Sequence, residues 1–384
     1  MAWKETCVMD LKIKFISDWL SGRYTNTLLS SKYSISRPTV DKWIARYSQY
    51  GPSGLYERSR RPASSPNQTP PAISDKLLAL KRSHPHWGPK KINDLFKIEY
   101  PRLHCPADST TAHIFSQAGL VKPRRIKRSV TPYSANLTKS TQPNDVWNID
   151  FKGQSLLGNS QWCYPLTITD DFSRFLIGVD GLMSTGFQGV HAVMERHFHE
   201  FGLPLVIKSD NGVPFASKAL AGLSYLSIWF IKLGITPERI AVGKPTQNSR
   251  HERMHRTLKA ESMNPMQHTL EKQQMSFNQF RDNYNYLRSH EALGRTRPAE
   301  HYEYSPRIYV PNKYEINYDL DIEIRKVRHS GEIKWKGQLV YVHSALTGES
   351  IGLRQLNNDV SEVYFSFMKI GLLDERQKRI VRLS

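Results

Sequence analysis

From Trp147 onward the chain changes texture, and that change limits the possible folds more than any other feature. Val146-Trp147-Asn148-Ile149-Asp150-Phe151, Cys163-Tyr164-Pro165-Leu166-Thr167-Ile168-Thr169-Asp170 and Phe175-Leu176-Ile177-Gly178-Val179-Asp180 are three short β-like runs with turn residues between them. Val190, Val193, Met194, His197, Phe198 and Phe201 then recur at helical spacing. Leu205 to Ser209 reads as a fourth strand stopped by Asp210-Asn211-Gly212. A helix follows around Leu220 to Leu233, then a fifth strand at Ile240-Ala241-Val242 and a helix opening at Lys244. Three strands, helix, strand, helix, strand, helix predicts a mixed α/β domain, placed at residues 143–305.

The flanks have other patterns. Residues 1–55 read as three helices, the last two forming a helix-turn-helix. Ser36 is the expected N-cap of the last helix, Pro38 sits in its tolerated first turn, and Val40, Trp43, Ile44 and Tyr47 bury one face. Arg37, Thr39, Lys42 and Arg46 are left to face a DNA groove. A linker at 56–72 carries Arg58, Arg60 and Arg61, suited to phosphates or a minor groove. A second helical DNA-binding domain is expected over 73–128. It has Lys90 and Lys91, a stop signal at Gly119, and the basic run Arg124, Arg125, Lys127 and Arg128. After about residue 320, alternation in stretches such as Glu332 to Val342 and Val360 to Phe367 predicts a small antiparallel β-barrel over 320–384. The fold class expected is therefore multidomain: all-α modules, an α/β core, and a small β-barrel.

Charge tells the modules apart. The net charge is +19, which draws polyanions. Residues 1–142 hold 24 Lys and Arg against 9 Asp and Glu, whereas residues 143–311 hold 18 against 16, so the excess belongs to the N-terminal part. The start of the chain leads into no apolar signal segment, and a cytoplasmic, nucleoid-associated protein is expected. Its three cysteines, Cys7, Cys105 and Cys163, lie in no metal-binding spacing and are expected as reduced thiols.

Three acids fall where the α/β core can bring them together: Asp150 at the end of the first strand, Asp210 after the fourth, and Glu252 on the helix after the fifth. Gathered carboxylates repel one another unless cations sit between them, and hard oxygen ligands suit Mg²⁺ or Mn²⁺. Two such ions can clamp an in-line displacement at phosphorus. On the same helix Asn248, Glu252, His255 or Arg256, and Lys259 are expected to share a DNA-facing side, with Met254 and Leu258 opposite. His251-Glu252-Arg253-Met254-His255 also spells a zinc-protease signature, but no distinctive third ligand follows it. A catalytically inert, sequence-specific DNA-binding regulator is the other alternative, and it leaves the acidic trio without a purpose.

With these residues in place the chain resembles bacterial insertion-sequence transposases of the DDE type, whose catalytic core is ribonuclease-H-like and related to retroviral integrases. The resemblance runs nearly end to end. It rests on Trp3-Lys4-Glu5, Arg58-Ser59-Arg60, Asp150-Phe151-Lys152-Gly153, the Cys163 to Asp170 run with Ser173-Arg174, Ser209-Asp210-Asn211-Gly212 and Phe215-Ala216-Ser217. It continues through Leu226-Ser227, Leu233-Gly234-Ile235, the His251 to Lys259 run and His290-Glu291-Ala292-Leu293-Gly294. It implies that Asp150, Asp210 and Glu252 form a metal-binding catalytic triad using Mg²⁺ or Mn²⁺, with two ions per site. It also implies that double-stranded DNA is cleaved at element ends and joined to target DNA by a homo-oligomer on paired ends. Such proteins commonly carry glycine where this chain has Ser249, a departure at the entry to the catalytic helix.

Overall fold

The computed structural model describes residues 7–57, 68–121, 137–210, 212–215, 223–240, 249–311, 316, 318–319, 321–357 and 359–381, with the backbone alone at 249. Among them no helix is long and apolar enough to cross a membrane.

The first module belongs to a compact unit ending at Thr69. It contains α1 (Val8–Leu20), α2 (Asn26–Tyr33) and α3 (Arg37–Tyr50). Thr25 caps α2 by accepting from the Leu28 amide, and Ser34 ends it in the left-handed conformation at φ 53°. Ser36 does occupy the N-cap of α3, but its hydroxyl meets Thr39 Oγ1 at 2.8 Å instead of a backbone amide. Val40 and Trp43 join Phe15, Ile16, Leu29 and Leu55 in one core. Gly54 is required there, because a Cβ would lie 2.3 Å from the Arg46 carbonyl oxygen.

The second unit begins with α4 (Pro71–Ser83), α5 (Pro89–Glu99) and α6 (Asp108–Gln117). Trp87, Ile92, Leu95, Phe96 and Phe115 form their core. Asn93 is buried at its centre with its amide satisfied: it donates to the Pro106 carbonyl and Asp108 and accepts from Thr111. Gly119, at φ 68°, ends α6 and lets the Leu120 amide return to the Phe115 carbonyl.

Next come β1 (Val146–Phe151), β2 (Ser155–Leu156), β3 (Trp162–Asp170), β4 (Leu176–Leu182), α7 (Phe187–Phe201), β5 (Val206–Ser209), α8 (Tyr225–Lys232), β6 (Thr236–Arg239), α9 (Ser249–Ser262) and α10 (Leu270–Asp282). β3 pairs antiparallel with β4 on one side and β1 on the other, and β5 and β6 continue the sheet parallel to β1. Trp147 and Ile149 join the core made with α7 and α8, while Cys163, Leu176 and Val179 pack with α9 and α10. The sheet is thus the middle of three layers. The fifth strand lies at Thr236–Arg239, four residues before the expected Ile240-Ala241-Val242, of which 241 and 242 fall outside the described residues. Its lack of apolar alternation follows from its edge position, which also accommodates Pro237.

The C-terminal strands are β7 (Glu323–Lys326), β8 (Glu332–Trp335), β9 (Gln338–Tyr341), β10 (Ser350–Gln355), β11 (Val360–Phe365), β12 (Met368–Asp374) and β13 (Arg379–Val381). They do not form the expected closed barrel. Among the described residues, β13-β12-β11-β10-β7 is an open antiparallel sheet and β8-β9 a separate hairpin. Both share one core, completed by Ile228 and Ile231 of α8. Alternation gives each strand its buried face but not its edge partner, so it could not decide closure. The hairpin turns through Lys336 and Gly337, both at positive φ, as a tight two-residue connection requires.

Candidate active site

Strand register places two of the three acids. Ile149 pairs with Ser209 across the parallel β1–β5 ladder, so Asp150 and Asp210 follow on adjacent strand ends, one strand spacing of ~4.8 Å apart in the ladder direction. Asp150 is half-buried and Asp210 exposed, with one Asp210 oxygen accepting from the Gly212 amide at 3.0 Å.

The third acid is placed by what holds α9. Asp150 stands directly opposite Thr167 on β3. The Thr167 hydroxyl donates to the Asp150 carbonyl oxygen at 2.9 Å and lies 2.6 Å from His251 Nε2 and 2.7 Å from His255 Nε2. Thr169 Oγ1 lies 3.0 Å from His251 Nδ1. With its proton given to the carbonyl, Thr167 can only accept from both rings, so each imidazole carries its proton on Nε2 and Thr169 donates to His251. Both rings are then neutral. Burial pushes His251 down to about 3, and burial, aided by His251 and Lys152, pushes His255 down to about 2.

His251, Met254, His255 and Leu258 therefore form the packing stripe of α9, at i, i+3, i+4, i+7. Glu252 lies on the outer side with Arg256 and Lys259, exposed, its carboxylate without a partner among the described residues. Arg250 ties the first turn to the sheet through Asp171 at 3.0 Å. Asp171 is no surface charge: burial raises its pKa, but Ser140, Arg250, Arg174 and Asn148 outweigh this and hold it below the usual carboxylate range. Asp170 is structural too, accepting from the Asn144 amide and from the amide and hydroxyl of Ser173 while burial raises its pKa.

Other expected contacts divide by placement. His255, expected on the DNA side, is only 6% exposed and faces the sheet, because its ring satisfies Thr167. Arg37 and Lys42 are exposed on α3, while Thr39 and Arg46 are half-buried, Arg46 lying 5.0 Å from the Trp43 ring. Lys90 is exposed and paired with Glu291, and Lys91 is half-buried. Arg58, Arg60, Arg61, Arg124, Arg125, Lys127, Arg128 and Asn248 lie outside the described residues, as does the side chain of Ser249. Sequence reasoning missed Thr167, Thr169, Asp171 and Arg250. The signal was present: Thr167 and Thr169 are two apart on one strand and so share a face, the one that α9 covers.

Among the described residues Asp150, His251 and His255 bring ligand atoms within 4.8 Å of one another, whereas Asp150, Asp210 and Glu252 do not converge that closely. In the structure both Nε2 atoms are hydrogen-bonded to Thr167. Asp210 and Glu252 keep carboxylate oxygens available to a hard cation.

Asp150 and Asp210 thus adjoin on a mixed α/β sheet, with α9 packed on it and helical modules upstream. Two integrase core domain models match residues 140–245 and 233–298. A helix-turn-helix domain matches 11–63, a homeodomain-like domain 39–114, and the C-terminal domain of IS481 family transposases 322–381. An insertion element IS407 protein of Burkholderia multivorans is 30% identical over 218 residues, covering 53% of this chain and 75% of that one. An insertion element IS476 protein of Xanthomonas euvesicatoria is 29% identical over 252 residues, covering 65% and 69%. The HTLV-2 integrase catalytic core domain, solved in complex with magnesium, aligns with 43% of this chain and all of that one at 15% identity and a TM-score of 0.35. The chain belongs to the bacterial insertion-sequence transposases with an integrase core: a DNA-binding polynucleotidyl transferase that depends on a divalent metal.

Proposed function

We propose that Asp150, Asp210 and Glu252 are the catalytic carboxylates of this transposase and hold Mg²⁺ or Mn²⁺, two ions per site, while element ends are cut and joined to target DNA. One observation carries the reading: the β1–β5 register sets Asp150 beside Asp210, and the helix bearing Glu252 is anchored to the cross-strand partner of Asp150. Bound there, divalent cations would supply activation of the attacking hydroxyl and charge stabilisation at phosphorus.

The protein's own groups do the positioning. Thr167 holds the β1 backbone under Asp150 and both histidines of α9, so one hydroxyl links two of the three acids. The Arg250–Asp171 pair fixes the first turn of α9. Arg256 and Lys259, exposed on the side of Glu252, are suited to non-bridging phosphate oxygens. The DNA substrates are the element's terminal repeats and a target duplex. Joining two ends calls for a homo-oligomer.

The test is divalent-ion-dependent nicking of a duplex carrying the repeat that flanks the coding sequence. Asp150→Asn should bind the duplex as the wild type does and cut nothing. Binding by the wild type with no metal-dependent cutting would favour the regulator.

A further inference from the structure

Between the second helical module and the catalytic core lies a cleft of about 690 Å³, bounded by the start of α5, by α9 and by the chain from Arg288 to Arg295. Its acids are already committed. Arg295 takes Asp94 at 2.6 Å and Asp108 at 2.8 Å, and Lys90 takes Glu291 at 2.6 Å. Arg288, only 8% exposed, is held by Glu261 at 2.6 Å. Lys91 and Arg253 are left, lining the cleft with no hydrogen bond or ion pair for their side chains among the described residues. His290 lines it too, and its Nε2 is buried without a partner among the described residues.

Lys91 is half-buried, and the charges close to it that are not already matched are cations. Burial, with Arg288 and Arg253 adding to it against Glu261 and Glu291, pushes Lys91 down to about 8. Lys91 and Arg253 thus give the cleft two unmatched cations, and Arg253 shares α9 with the exposed Arg256 and Lys259.

We propose that this cleft binds a backbone phosphodiester of the DNA on which the active site acts, with Lys91 and Arg253 as its charge partners. The inference rests on the transposase reading above and adds a site to it. Arg253 follows Glu252 in the chain, so the cleft and the candidate site share α9 as a common wall. The second helical module then forms one wall of the DNA path at the catalytic centre, held in register by Arg295 bridging α5 and α6 to the core.

The test uses full-length protein and a generic DNA duplex titrated over a salt series. Lys91→Met keeps the aliphatic stem and removes the charge. It should lower the slope of log affinity against log salt by about 0.9, the share of one phosphate contact. The melting temperature of the unliganded variant should stay or rise, because the charge removed had no partner; a structural lysine would lower it. Arg253→Met, at an exposed position, should lower the slope equally. Lys97→Met, an exposed lysine of α5 outside the cleft, should leave it unchanged. A steep wild-type slope retained by both cleft variants, or lost equally in Lys97→Met, would overturn the cleft alone. A flat wild-type response would sink the DNA reading and this proposal together.

Discussion

The inner and outer sides of α9 differ more than their sequence suggests. Inward, His251 and His255 are buried, neutral and committed to threonine hydroxyls. Outward, Glu252, Arg256 and Lys259 are exposed, and no salt bridge among the described residues engages them. Groups spent on holding a helix are not free for chemistry, and groups left exposed by such a helix can be aimed without being spent. The histidines that make the segment look like a zinc site serve as its mounting.

That contrast can be broken in graded steps. The largest effect belongs to the outward side and the strand ends: Asp210→Asn should cost on the order of 10³-fold or more in metal-dependent cleavage, with DNA affinity kept, as single-turnover assays would show. On the inward side, Thr167→Val should cost about 1–3 kcal/mol in urea unfolding, because two imidazole N–H groups lose their acceptor. Thr167→Ser should recover most of it.

Acid sharpens the same division. Folded His251 and His255 titrate at about 3 and about 2, far below ~6.5 in an unfolded chain. The unfolded state therefore takes up protons first. The stability these rings contribute is complete above pH ~6.5 and falls as the pH drops toward 3, by about 2 kcal/mol for each ring at pH 5. A His251→Gln, His255→Gln double variant should show a flatter acid limb in unfolding titrations of metal-free protein. An unchanged limb would mean the rings are not held neutral. The smallest effect is at Arg250, whose side chain is 58% exposed: Arg250→Ala should cost less than about 1 kcal/mol.

How much of the fold and site is legible in the sequence depends on the kind of information each residue holds. The position of Asp150 and Asp210 was legible, because a strand's end and a turn signal are local. The side of α9 that faces the sheet was legible only in part: Met254 and Leu258 marked it, but polar His255 reads as exposed until Thr167 is seen opposite. The fifth strand was misplaced because Thr236–Arg239, at the sheet edge, needs no apolar alternation. Barrel closure at the C-terminus depends on which edges meet, and β7 and β13 are the two free edges of an open sheet. The joint between the second helical module and the core was invisible, since Arg295 and its partners Asp94 and Asp108 are about two hundred residues apart.

On the proposed reading α9 carries its chemistry on Glu252 and its anchorage on the histidines. Metal-dependent cleavage of an element-end duplex by Glu252→Gln and by His255→Gln, each scaled to its folded fraction, separates the two roles. Glu252→Gln should fold and bind normally but not cut, while His255→Gln should lose stability and its folded fraction should still cut. A Glu252→Gln protein that cuts, or a fully folded His255→Gln protein that does not, would contradict that reading.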